Sequence, residues 1–114
     1  MIERTGQGSY FHRVVKHEAT LYLSGVVADD LSAPMAGQTK QVLDKIANVL
    51  VGAGSDASKI LSATVYLSDF GAKDAMNEVW KAWFAADQLP SRATVGVATL
   101  GQGVLIEVVV TAAR

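Results

Sequence analysis

Two residues toward the C-terminus are typed and placed for anion or acid–base chemistry. Arg92 heads the run "SRATVGV", and Glu107 sits in the middle of "VLIEVVV". Both runs are rich in β-branched residues and read as strands. A charge set in an apolar strand needs a partner or a task. If "LGQG" closes a four-residue hairpin between them, Thr99 faces Val104 and Gly96 faces Glu107. Directly opposed side chains share a face, and so does Arg92, four residues from Gly96. The two charges then lie on one side of the sheet, ~13 Å apart along the strand at ~3.3 Å per residue, too far to touch within one chain. Gly96 would leave open space beside the carboxylate, although a glycine in a strand equally marks a bulge that shifts the register. If that face packs on a second protomer, Glu107 of one chain approaches Arg92 of the next. A polar pocket at a subunit boundary follows, with an intersubunit ion pair devoid of chemistry as the plain alternative.

The elements that must hold these residues can be read from periodicity. "FHRVVKH" and "TLYLSGVV" form a hairpin, and a short strand near Ile2 precedes them. Asp29, Asp30 and Ser32 offer helix caps, and Pro34 suits a first turn. Val42, Leu43, Ile46, Val49 and Leu50 then recur at helical spacing until Gly52 and Gly54. "KILSATVYLSDF" is the next strand. Asp69 caps a second helix whose apolar stripe is Met76, Val79, Trp80, Trp83 and Phe84, and the strands 92–99 and 104–112 close the chain. The order is βββ-α-β-α-ββ. Two helices cover one face of a six-stranded mixed sheet, giving a two-layer α/β (α+β) sandwich in a single domain over residues 1–114. "ATLYLS" at Ala19 echoes "ATVYLS" at Ala63, each before a turn and a helix. That suits a duplicated βα unit, and equally a chance match between strands of similar composition.

Composition narrows the classes. Half of the 114 residues are apolar, so the chain can bury a core. The formal charge is −1 and the acids and bases are interspersed, without the basic stripe of a nucleic-acid binder. There is no cysteine, which excludes disulfides, thiolate nucleophiles and cysteine metal sites. No run is apolar and long enough to cross a bilayer, and "MIERTGQGSY" lacks the apolar core of a signal peptide, so a soluble cytoplasmic protein is expected. The last strand alternates Val104, Ile106, Val108 and Val110 with Leu105, Glu107 and Val109. In "TLYLSGVV", Leu21 and Leu23 alternate with Tyr22 and Val26. Both sides are mostly apolar, and self-association through the open sheet face would cover what the helices do not.

Other constellations are weaker. His12 and His17 fall on opposite faces of a regular strand with no third ligand. Ser24 has no G-x-S-x-G elbow around it. Gly6-Gln7-Gly8 and Gly101-Gln102-Gly103 lack the Gly-Lys-[Ser/Thr] of a phosphate loop. Trp80 and Trp83 fit core packing.

From "GSY" through "LYLSG", "VYLSDF" and "MNEVWKAWF" to "LPSRATVGV" and "IEVVVTAA", the chain resembles the Rid (RidA/YjgF) family of imine and enamine deaminases. The most specific part is Pro-x-Arg-[Ser/Thr/Ala] followed fifteen residues later by Glu, here Pro90, Arg92 and Glu107. The resemblance implies a chorismate-mutase-like fold and a homotrimer with sites between subunits. It implies hydrolysis of short-lived 2-imino acids to 2-keto acids and ammonia, with no metal or organic cofactor. Arg92 would hold the substrate carboxylate by a bidentate pair, and Glu107 would handle the attacking water or the departing nitrogen. Tyr10 would wall the pocket. Ser24, Gly25 and Asn77 match family positions, and a backbone N–H at Ala93 or Thr94 could contact the carboxylate. Ser9, Val26, Thr94 and Gly101 stand where many members have Pro, Gln, Cys and Pro. The anchor is kept while the pocket wall differs. A non-catalytic trimer that binds small carboxylates as a sensor or partner protein is the alternative. Neither reading involves nucleic acid or a membrane.

Overall fold

The computed structural model describes residues 1–114. Strands β1 (Ile2–Gln7), β2 (His12–His17) and β3 (Thr20–Leu23) are followed by helix α1 (Met35–Gly52) and strand β4 (Ile60–Leu67). Helix α2 (Lys73–Trp83) and strands β5 (Ser91–Gly96) and β6 (Ile106–Ala113) complete the chain. The element order is the one that periodicity indicates. One six-stranded sheet runs β1-β2-β3-β6-β4-β5, and it is mixed because β5 lies parallel to β4 while β6 lies antiparallel to both β3 and β4.

The two helices share one side of that sheet. Burial alternates strictly along β6, where Ile106, Val108, Val110 and Ala112 are buried and their neighbours half-buried. On α1, Val42, Leu43, Ile46 and Leu50 meet this face, joined by Met76, Trp80 and Phe84 from α2 and its end. The α1 stripe ends as its glycines suggest: the helix runs to Gly52, and Gly54 turns the chain at φ +84°. Pro34 precedes the first turn of α1. The Asp30 carboxylate accepts bonds from Ser32 N and Oγ, so it folds its own turn and caps no helix. Asp69 forms no side-chain cap either. Its carbonyl accepts from Ala72 N in a short 3₁₀ turn over Phe70–Ala72 that leads into α2.

Three expectations about the sheet are overturned. The segment after β5 is not a hairpin. The β4-α2-β5 unit makes a parallel pair, as crossover units do. The chain then passes through residues 97–105 to the far side of β4, where β6 slots between β3 and β4. Gln38 of α1 pins this passage. Its Nε2 donates to Leu31 O, Ala33 O and Gly103 O, while its Oε1 accepts from Leu105 N, so a fully buried amide has its polar atoms satisfied. Gly103 has φ +78° and approaches Leu31, which favours glycine there.

Second, Val26 is buried on the helix side with Leu21 and Leu23, not opposite them. Tyr22 pairs with Thr111 and Val26 with Val108, so three residues between them face two on β6. Ser24-Gly25 is therefore a β-bulge, and its extra residue returns Val26 to the core. Third, the open face is less oily than expected. It carries Val15, Tyr22, Val95 and Val109, but also Ser62, Thr64, Tyr66 and Thr111, and the Ser62 and Thr111 hydroxyls bond at 2.6 Å.

The two "AT-x-YLS" segments are β3 and β4 with their flanks, and they border β6 on either side. Tyr22 and Tyr66 both point to the open face, while Leu23 and Leu67 are both buried.

Candidate functional site

The corrected topology separates the two charges that open the chemistry. Arg92 pairs with Ala63, which pairs with Val110; both partners are buried toward the helices. Glu107 pairs with Tyr66, which pairs with Val95 on the open side. Arg92 and Glu107 thus project from opposite faces of one sheet, and the expectation of a shared face fails. The error lies in the assumed hairpin: neighbours across a strand pair share a face, but β5 and β6 are not neighbours.

Arg92 sits on the edge strand β5 and reaches over α2. Its guanidinium lies 5.1 Å from the centre of the Trp80 ring, in cation–π range, and Nη1 makes a weak contact with Met76 Sδ at 3.7 Å. Burial against these groups pulls its pKa below the ordinary arginine value. Arginine stays charged at neutral pH regardless. No carboxylate answers that charge. The ion pairs of the protomer join Glu18 to the N-terminus and His17, Lys40 to Asp44, and Lys45 to Asp29.

A pocket of about 340 Å³ opens at this point, lined by Asn77, Trp80, Lys81, Leu89, Pro90 and Arg92. Its size falls within the ~300–1,000 Å³ of small-ligand sites. The Asn77 side-chain oxygen is buried and accepts no hydrogen bond. Leaving such a group unsatisfied costs about 1–3 kcal/mol.

The second cluster is on the open face around Glu107. The glycine beside this carboxylate is Gly25 and not Gly96. A Cβ on Gly25 would come far inside van der Waals contact with Glu107 Oε2 and within 2.9 Å of its Cδ, so the bulge holds a glycine where the carboxylate packs down. Gly96 pairs with Leu67, and a Cβ there would meet Phe70. Ser24 Oγ donates to His12 O at 2.7 Å, and Gly25 O accepts from Arg13 Nη1 at 3.1 Å. The Ser24 hydroxyl is spent on holding the bulge. Glu107 has no ion-pair partner within its own chain.

The residues implied by resemblance therefore fall into separate groups. Asn77 joins Arg92, and Ser24 and Gly25 join Glu107. On β5, Thr94 pairs with buried Val65 on the helix side, while Ala93 pairs with Thr64 on the open side. Tyr10 stands in the β1–β2 turn, 96% exposed, in contact with neither group. Sequence reasoning misses Lys81 and Leu89 among the lining residues. For Lys81 a signal existed: it follows Asn77 by one helical turn.

A family described as Endoribonuclease L-PSP matches residues 2–114. The chain is 39% identical to the RutC family protein YoaB of Escherichia coli over 88% of this chain and 87% of that protein. It is 31% identical to the human 2-iminobutanoate/2-iminopropanoate deaminase over 86% and 75% of the two chains. A YjgF-family protein from Neisseria meningitidis superposes with a TM-score of 0.94 at 33% identity, over 100% and 95% of the two chains.

This chain belongs to the Rid/YjgF family.

Its α+β fold is that of the family. Deamination of imines is an activity found among its relatives.

Proposed function

We propose that this Rid-family protein hydrolyses short-lived 2-imino acids, and their enamine tautomers, to 2-keto acids and ammonia at sites shared between protomers of a homotrimer. The observation that carries the reading is the Arg92 guanidinium set over the Trp80 ring, with no carboxylate of its own chain and a pocket beside it. The deaminase named among the relatives supports the same chemistry.

Arg92 takes the substrate carboxylate through two parallel N–H···O bonds, which fixes the plane of the adjacent C=N bond. Asn77 borders the same pocket from α2. Since Glu107 faces away from Arg92 within one chain, the acid group at each site comes from the neighbouring protomer, whose open face receives the β5 edge. Its carboxylate removes a proton from water as the water oxygen bonds to the imine carbon. That proton passes to nitrogen and gives the carbinolamine; the same carboxylate then carries the hydroxyl proton to nitrogen as C=O forms and the C–N bond breaks, so that ammonia leaves and the carboxylate is restored. Positioning does most of the work for so labile a substrate. Tyr10, projecting from its turn, closes the neighbour's pocket. Gly25, kept bare, lets Glu107 lie flat, and the backbone of Ala93 and Thr94 borders the substrate carboxylate. No step calls for a metal or organic cofactor.

One observation favours a second reading. No acid of the same chain lines the Arg92 pocket, so a lone protomer could bind carboxylates without acting on them.

The test generates 2-iminopropanoate in situ with an amino-acid oxidase and follows keto-acid release. Wild type should accelerate it, and Arg92→Ala should lose most of the acceleration. Equal rates with and without wild type, together with retained 2-keto-acid binding, establish the binding protein instead. Full acceleration by Arg92→Ala removes the assigned anchor.

A further inference from the structure

We propose that Lys81 forms a second anion-binding group beside Arg92, so that the pocket selects 2-imino and 2-keto acids carrying a second acidic group. This deepens the reading of Arg92 as a carboxylate anchor and rests on it.

Asn77 and Lys81 are four residues apart on α2 and therefore share a helix face. Trp80, Leu89, Pro90 and Arg92 line the same pocket. The six lining residues thus include two cations and no acid. Neither Lys81 nor Arg92 enters an ion pair within the chain. A monocarboxylate answers one of these charges and leaves the other facing it, whereas a dicarboxylate answers both.

The two cations are suited to different tasks. Arg92 is stacked on Trp80, which holds its donor fork in one plane for the carboxylate next to the reacting carbon. Lys81 carries a point charge on a flexible stem, and its residue is exposed. It can follow a distal acid group at more than one distance. Exposure limits the gain to that of a solvated ion pair, about fivefold in affinity, with a strong dependence on salt.

The test is calorimetric titration with 2-oxobutanoate and 2-oxoglutarate at low ionic strength. Wild type should bind the diacid about fivefold more tightly. Lys81→Gln should bring the ratio of the two affinities near one, and Lys81→Glu should invert it. An unchanged ratio in both variants overturns the inference, as does undiminished binding of both acids by Arg92→Ala. Imine hydrolysis is measured separately. If wild type fails to accelerate it while the diacid preference follows Lys81, the deaminase reading falls and the second anion site stands.

Discussion

The Glu107 carboxylate occupies the space that a side chain on Gly25 would need. The bulge at Ser24-Gly25 and the acid of β6 are therefore one structural unit. Ser24 Oγ and Arg13 Nη1 hold the bulge backbone in place, and the carboxylate lies across it.

Gly25→Ala should expel the carboxylate or distort the bulge. Overpacking of this kind costs about 1–3 kcal/mol. Urea denaturation of Gly25→Ala, Glu107→Ala and the double variant should reveal a coupling of at least about 0.5 kcal/mol, the double variant being more stable than the sum of the single losses indicates. Strict additivity would show that the two residues do not meet.

Arg92→Lys should keep the charge and lose both the donor fork and the stack on Trp80. A rise in KM of about tenfold is expected, the equivalent of ~1.4 kcal/mol. The folding midpoint should move little, because Arg92 lies on an exposed edge. Lysine performing as well as arginine would show that the planar geometry is not used.

Opposite faces for Arg92 and Glu107 make a genetic-style test possible. Arg92→Ala and Glu107→Gln should each be inactive as homo-oligomers. Unfolded together and refolded as a mixture, they should regain roughly a quarter of wild-type activity, the share of boundaries that pair an intact arginine with an intact glutamate by random assembly in a closed ring. No recovery on mixing would place both groups in one protomer's site or outside it.

Asp44 gives the acid side of the stability profile a defined origin. Hydrogen bonds from Lys40 and from Trp83 Nε1 lower its pKa from 3.8. A carboxyl whose folded pKa is depressed stabilises the fold above its unfolded pKa, and loses that contribution as pH falls through the folded value. Asp44→Asn should therefore be less stable than wild type at pH 7, and the gap should close below pH 3.8. Trp83 fluorescence should report the same transition. A gap independent of pH would assign the loss to packing.

How far these features were legible in the sequence depends on their range. Helix α1 could be read because Val42, Leu43, Ile46 and Leu50 repeat at the helical period, and all four are buried. The partner of β5 could not. Gly101 and Gly103 do make turns, with φ +106° and +78°, but local turn chemistry says nothing of which strand comes alongside next. That was decided by the β4-α2-β5 crossover and by Gln38, an amide in a helix whose task depends on a loop brought to it by the rest of the fold. The single error of partner reversed the face of Arg92 and exchanged Gly25 for Gly96 beside Glu107. Asn77 and Arg92 could be named but not joined, since only the packing of α2 on the sheet brings them to one pocket.

The extra residue at Ser24-Gly25 shifts the phase of everything beyond it on that strand. Removing one residue there would turn Val26 to the open face and disturb the seat of Glu107 together. That short stretch should tolerate no change of length.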